Sequence, residues 1–178
     1  MPLTDKKTYR YIYKGEQGGP FGWFIIVIDE TGYFSAVSDY GNYAYRWTAF
    51  SGDFRKFLCG CDAGYLISKL NPRRIADWEQ TYKNVEQHIC EERRGGFYSK
   101  EKARHLMSLA KDKIKKQSDF DFQDFLEEVG QEDCGTDWYG FYAQRPEPSV
   151  EGFARRLFPK LVEMMRSELE AENEPGCS

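Results

Sequence analysis

The chain is poor in the residue types that local catalytic and metal signatures require. Only two histidines, His88 and His105, occur in 178 residues, and neither stands beside a Gly-x-Ser-x-Gly elbow or a cysteine nucleophile signature. The glycine-rich "GEQGGPFG" lacks the Lys-Ser/Thr of a phosphate loop. Long apolar runs are missing as well. The longest, "WFIIVI", stops at Asp29, far short of the ~18 residues of a membrane span. The start, "MPLTDKKTYR", has no apolar signal core, so the expected location is the cytoplasm of whatever cell makes the protein. Five cysteines, an odd number, argue against a disulfide framework.

Aromatic residues and charge are what the chain has in quantity. Rings make up 16% of it, and large amphipathic rings serve cores and interfaces equally. The net charge of −4 hides an uneven distribution: residues 1–72 carry +1, residues 73–117 carry +5, and residues 118–178 carry −10. Such asymmetry suits charged partners or an internal electrostatic match.

The first fifty residues read as an antiparallel meander of three or four strands. "KTYRYIYKGE" places Tyr9, Tyr11 and Tyr13 on one face, "GWFIIVIDE" is apolar enough for a central strand, and "YFSAVSD" and "YAYRWTAF" follow. Gly18, Gly19 and Pro20 supply the first loop and Tyr40-Gly41-Asn42 the last. In "SDYGNYAYRW", alternation puts Tyr43, Tyr45 and Trp47 on one face. A meander must bury one face, so these rings are expected in the core rather than on a base-stacking platform.

Residues 51–172 read as helical. Asp53 and Asp62 cap two short helices, a longer one spans about Arg73 to Glu92, Ser99 caps a basic helix, and Ser118 caps an acidic helix ending at Gly130. "TDWYGFYAQRPEP" reads as extended, Pro159 kinks the terminal helix or begins a new one, and residues 173–178 fray. Sheet first and helices afterwards make an α+β fold, taken as one domain over 1–178.

Cys59-x-Cys61 and His88-x-Cys90 offer zinc-type ligands at the wrong spacing, and small buried cysteines are the better reading, so neither metal nor cofactor is expected. Residues 118–143 hold eight carboxylates and no Lys or Arg. An acidic surface of Asp121, Asp124, Glu127, Glu128 and Asp133 suits a basic partner, including proteins that bind nucleic acid. The competing reading is a solvated face that answers the basic helix of the same fold. A second hypothesis places Arg104, Lys111, Lys115 and Lys116 against nucleic-acid phosphates. An enzyme of unrecognised type ranks below a binding protein, because a site assembled from distant residues leaves no local trace.

"SDYGNYAYRW", "GDFRKFLCGCDAGYLISKL" and "RPEPSVEGFARRLFPKLVEMMRSEL" together resemble the ordered landmarks of a family of small proteins carried by bacteriophages and prophages. The resemblance brings no activity and no site residue. It implies a virus-encoded accessory protein that binds a bacterial host macromolecule, and proteins of that provenance often block host defence, for example a CRISPR effector.

Overall fold

The computed structural model of the chain describes residues 6–15 and 22–173. The loop expected at Gly18, Gly19 and Pro20, and the tail beyond Asn173, lie outside them. The fold is α+β, an N-terminal four-stranded antiparallel sheet followed by helices. Contacts cluster into two compact units, residues 1–73 with 146–178, and residues 74–145.

In the first unit, β1 (Thr8–Lys14), β2 (Trp23–Asp29), β3 (Tyr33–Ser38) and β4 (Gly41–Arg46) pair in chain order. Asp29 ends β2 by accepting from the Thr31 and Tyr33 amides at 2.7 and 3.2 Å. Gly32 then turns the chain at φ +84, where a Cβ would stand 2.1 Å from the Trp47 carbonyl oxygen. Glycine is required there on both counts. The next loop is Asp39-Tyr40, because Ser38 pairs with Gly41, which moves the expected Tyr40-Gly41-Asn42 turn toward the N-terminus.

Alternation sends Tyr11, Phe24, Ile26, Ile28, Phe34, Ala36, Tyr43 and Trp47 to one buried face, with Tyr45 packed against them. The rings of "SDYGNYAYRW" are therefore core. They lie under α1 (Phe54–Cys59), α2 (Ala63–Leu70), the short α6 (Pro148–Gly152) and α7 (Phe158–Asn173). Asp53 and Asp62 cap α1 and α2 as expected. Pro159 is the second residue of α7, preceded by a π-helical turn over Phe153–Leu157. A proline cannot donate to the carbonyl four residues back, and the wider turn absorbs the missing bond.

The second unit is a helical bundle of α3 (Trp78–Arg94), α4 (Lys100–Ile114) and α5 (Asp119–Glu132). Its core joins Val85, Ile89, Leu106, Ala110, Ile114, Phe122, Phe125, Val129 and Trp138. Three expectations need correction. The helix foreseen from Arg73 starts at Trp78, capped by Asp77, because β5 (Arg74–Ala76) pairs with β6 (Gln144–Pro146). Gly130 does not end α5, which runs on to Glu132 and stops at Asp133. The stretch before β6 is not fully extended, since Trp138–Phe141 form a 3₁₀ turn capped by Asp137.

Candidate interaction surfaces

The basic and acidic helices answer each other inside the second unit. Ser99 and Ser118 start α4 and α5 by accepting from the amides of Lys102 and Asp121. Lys113 then bridges Asp124 and Glu128 at 2.5 and 2.8 Å, and Lys116 reaches Asp121 at 3.3 Å. His105 meets Glu132 at 2.9 Å and Lys102 meets Asp133 at 3.2 Å. Of the five acidic candidates, Asp121, Asp124, Glu128 and Asp133 thus have a lysine of the same unit beside them, and Glu127 projects without an ionic partner among the described residues.

Asp133 is the least available of the five. Its carboxylate accepts from the Tyr98 hydroxyl, from Thr136 Oγ1 at 2.9 Å and from Lys102 Nζ at 3.2 Å, while Lys102 also lies 4.3 Å above the Tyr98 ring. Burial alone pushes this carboxyl up, but the three donors outweigh it and hold the group below its ordinary value. Tyr98 shifts the other way, to about 12, through burial and then its bond to Asp133. The cluster ties α4 to the end of α5 and explains why that helix passes Gly130.

Past these pairs, α5 shows an aromatic that periodicity did not flag. Phe120 lies on the same outward stripe as Asp124 and Glu127, about 160° from the buried Phe122, and it is 78% exposed. Tyr139, 61% exposed, stacks on Tyr142 at 5.9 Å, and the Tyr142 hydroxyl donates to Asp119 at 3.4 Å. Two rings therefore stand out of a surface that carries Asp119, Asp137 and Glu127. The readable signal was Phe120 falling out of phase with the 122, 125, 126, 129 stripe.

The basic candidates divide. Lys116 is taken by Asp121, and Lys115 lies 4.5 Å over the Tyr82 ring. Arg104 and Lys111 are exposed, with no ion pair among the described residues. Together with Lys100 and Lys115 they fall within about 60° of one α4 face. At the α3–α4 turn, Gly95-Gly96 present Phe97, 79% exposed, between Arg94 and Lys100.

Two features of the first unit stand apart. The sheet face opposite the core carries Ile12, Trp23, Tyr33 and Val37, each 40 to 45% exposed, around Ile25 and Val27. Beside α7, a groove of about 480 Å³ is lined by Cys59, Cys61, Phe158, Pro159, Arg155 and Arg166. The expectation of buried cysteines is corrected there: Cys59, Cys61 and Cys90 are half-buried and Cys134 is exposed. Burial, then the neighbouring Asp62, pushes the Cys61 thiol up to about 11, which keeps it protonated. Among the described residues, no three histidine, cysteine or acidic side chains come together as a metal cage, and no helix is long and apolar enough to cross a membrane.

No curated protein and no solved structure matches the chain. A family model described as a phage family matches residues 1–167, which takes in the sheet, the helical bundle and most of α7. The chain belongs to that phage family.

Proposed function

We propose that this phage-family protein acts in the bacterial cytoplasm by binding a basic host protein through the outward face of α5 and the adjoining 3₁₀ turn. One observation carries the reading: Phe120 and Tyr139 project from a segment with eight carboxylates and no Lys or Arg. Exposed rings in an acidic surround suit arginine-rich surfaces, where a guanidinium stacks on the ring and pairs with a carboxylate. Proteins with such surfaces bind nucleic acid, and a CRISPR effector is a host protein of that kind. The protein then acts as an inhibitor, its carboxylates standing where phosphates sit. Phe120 and Tyr139 are the anchors. Glu127 adds free charge, while Asp121, Asp124 and Glu128 add field that Lys113 and Lys116 partly cancel.

The test is capture of host proteins from nuclease-treated bacterial lysate by the wild type and by a Phe120→Ala, Tyr139→Ala variant. Loss of one basic protein with the variant, at unchanged helicity, is the expected result. Equal capture by both contradicts the reading.

The second reading, nucleic-acid binding along α4, is favoured by the Lys100, Arg104, Lys111 and Lys115 stripe leading to Phe97. Binding of that kind weakens steeply with salt, and Arg104→Glu with Lys111→Glu abolishes it. A salt-independent interaction rules it out.

A further inference from the structure

From the register of the sheet, we infer that the face turned away from the core is a docking surface for one acidic amphipathic helix of a partner protein. Along its two central strands, Trp23, Ile25 and Val27 of β2 run beside Val37, Ser35 and Tyr33 of β3, with Ile25 level with Val37 and Val27 with Ser35. On one side lies β1, whose Lys14, Ile12 and Arg10 are level with Trp23, Ile25 and Val27. On the other lies β4, whose Asn42 and Ala44 are level with Val37 and Ser35, and whose Arg46 is level with Tyr33. The middle of the face is therefore an apolar band, and the cations stand on the two edge strands. Ile12, Trp23, Tyr33 and Val37 are 40 to 45% exposed, so the band lacks the second layer that an apolar sheet face ordinarily takes.

Area and charge select the occupant. Four strands of about six residues cover roughly 20 by 20 Å, about half of what a folded partner buries on its side of a standard interface. One helix fits that footprint, since about 13 residues at 1.5 Å each span 20 Å on a cylinder 10 to 12 Å across. Arg10, Lys14 and Arg46 make no ion pair among the described residues. Asp29, the one carboxylate among these side chains, is already engaged by the Thr31 and Tyr33 amides and the Thr31 hydroxyl at 2.7 to 3.2 Å. The face is thus net positive, and a helix that lays apolar residues on the band meets Arg10 and Lys14 at one shoulder and Arg46 at the other. Arg10 and Lys14 stand about 13 Å apart on the extended strand, close to the ~11 Å between helix residues one heptad apart, so acidic residues at that interval reach both. A second copy of the same face would add positive charge to positive. On a flat lipid surface the long Arg and Lys side chains hold Ile and Val away, whereas a helix seats its stripe between them. A nucleic-acid strand fits less well, because Trp23 and Tyr33 stand at opposite ends of the band with aliphatic side chains between them. The inference is independent of the α5 face and survives if that reading fails.

Fluorescence anisotropy on the full chain tests it with two labelled 14-residue peptides, one with a helical leucine stripe flanked by glutamates and a twin with glutamines in their place. The wild type is expected to bind the glutamate peptide about tenfold more tightly than its twin. Arg10→Gln with Lys14→Gln, on the exposed side of the edge strand, erases that preference, and Val37→Thr, which keeps a β-branched side chain in the strand, weakens both peptides. Far-UV spectra stay unaltered in each. Phe120→Ala with Tyr139→Ala, and Arg104→Glu with Lys111→Glu, bind the glutamate peptide as the wild type does, which places the peptide on the sheet rather than on α5 or α4. Failure of the wild type to bind the glutamate peptide overturns the inference, as does equal binding of the twins. A preference for a single-stranded oligonucleotide or for phosphatidylserine vesicles that Arg10→Gln with Lys14→Gln abolishes overturns it too.

Discussion

Arg55 shows how single residues are held in this fold. Its side chain is 2% exposed and its guanidinium is shared among Asp53 at 2.7 Å, Glu172 at 2.7 Å and Glu168 at 3.4 Å, with the Tyr9 ring 4.2 Å away. Tyr11 donates to Glu168 at 2.5 Å, so one cation fastens β1, the start of α1 and the last turns of α7. Arg55→Met takes the shared cation from three carboxylates that are themselves 29 to 41% exposed and so partly solvated, and is expected to cost about 2 kcal/mol; urea unfolding measures it. Arg55→Lys does not restore the loss, because an ammonium cannot make the forked contacts.

Tyr98 and Asp133 give the second unit two pH limits. Asp133 is depressed in the fold, so its contribution is complete above the ordinary carboxylate value of 3.8 and is lost as pH falls through its lower folded value. Tyr98 is raised from 10.0 to about 12, so its contribution is complete below pH 10 and is lost as pH climbs toward 12. Tyr98→Phe is expected to reduce the alkaline limb of the stability profile, to which Tyr11, Tyr43, Tyr82 and Tyr142, all raised by burial, also contribute, and to soften the acid one. An alkaline limb that persists unchanged in the variant contradicts this.

At the scale of elements, α4 and α5 are joined by charge as well as by Leu106, Ala110 and Phe125. Lys113→Glu turns two attractions into two repulsions and is expected to lower the thermal midpoint, with added salt recovering part of the loss. Asp124→Lys in the same chain restores one pair.

These helices were legible in the sequence because their signals are local. Serine caps sit beside them, apolar residues recur at helical spacing, and strand alternation alone placed Tyr43 and Trp47 in the core. What was not legible depends on distant partners. Arg74–Ala76 becomes a strand only because Gln144–Pro146 pairs with it. Gly130 stays helical because Tyr98, Thr136 and Lys102 hold Asp133 beyond it. The candidate site was half legible. Composition marked the acidic stretch, but not that lysines from α4 occupy most of it, nor that Phe120 and Tyr139 are exposed beside it.

At the scale of the whole molecule, the chain is threaded through one unit twice and through the other once. Residues 74–145 are contiguous and carry their own core, whereas the sheet unit needs α6 and α7 to return and cover it. The isolated segment 74–145 is expected to give a helical circular-dichroism spectrum and a cooperative melt. A segment 1–73 made alone lacks α6 and α7, leaves the tyrosine face covered by α1 and α2 only, and is expected to aggregate. A non-cooperative melt of 74–145 contradicts the account of its core.

One capture experiment from bacterial lysate, with and without nuclease, separates the α5 and α4 surfaces by comparing three proteins: the wild type, Phe120→Ala with Tyr139→Ala, and Arg104→Glu with Lys111→Glu. The expected result is a nuclease-resistant basic host protein held by the wild type and by the α4 variant, and lost with the α5 variant. Capture that vanishes with nuclease and with the α4 variant, while the α5 variant keeps it, contradicts the account.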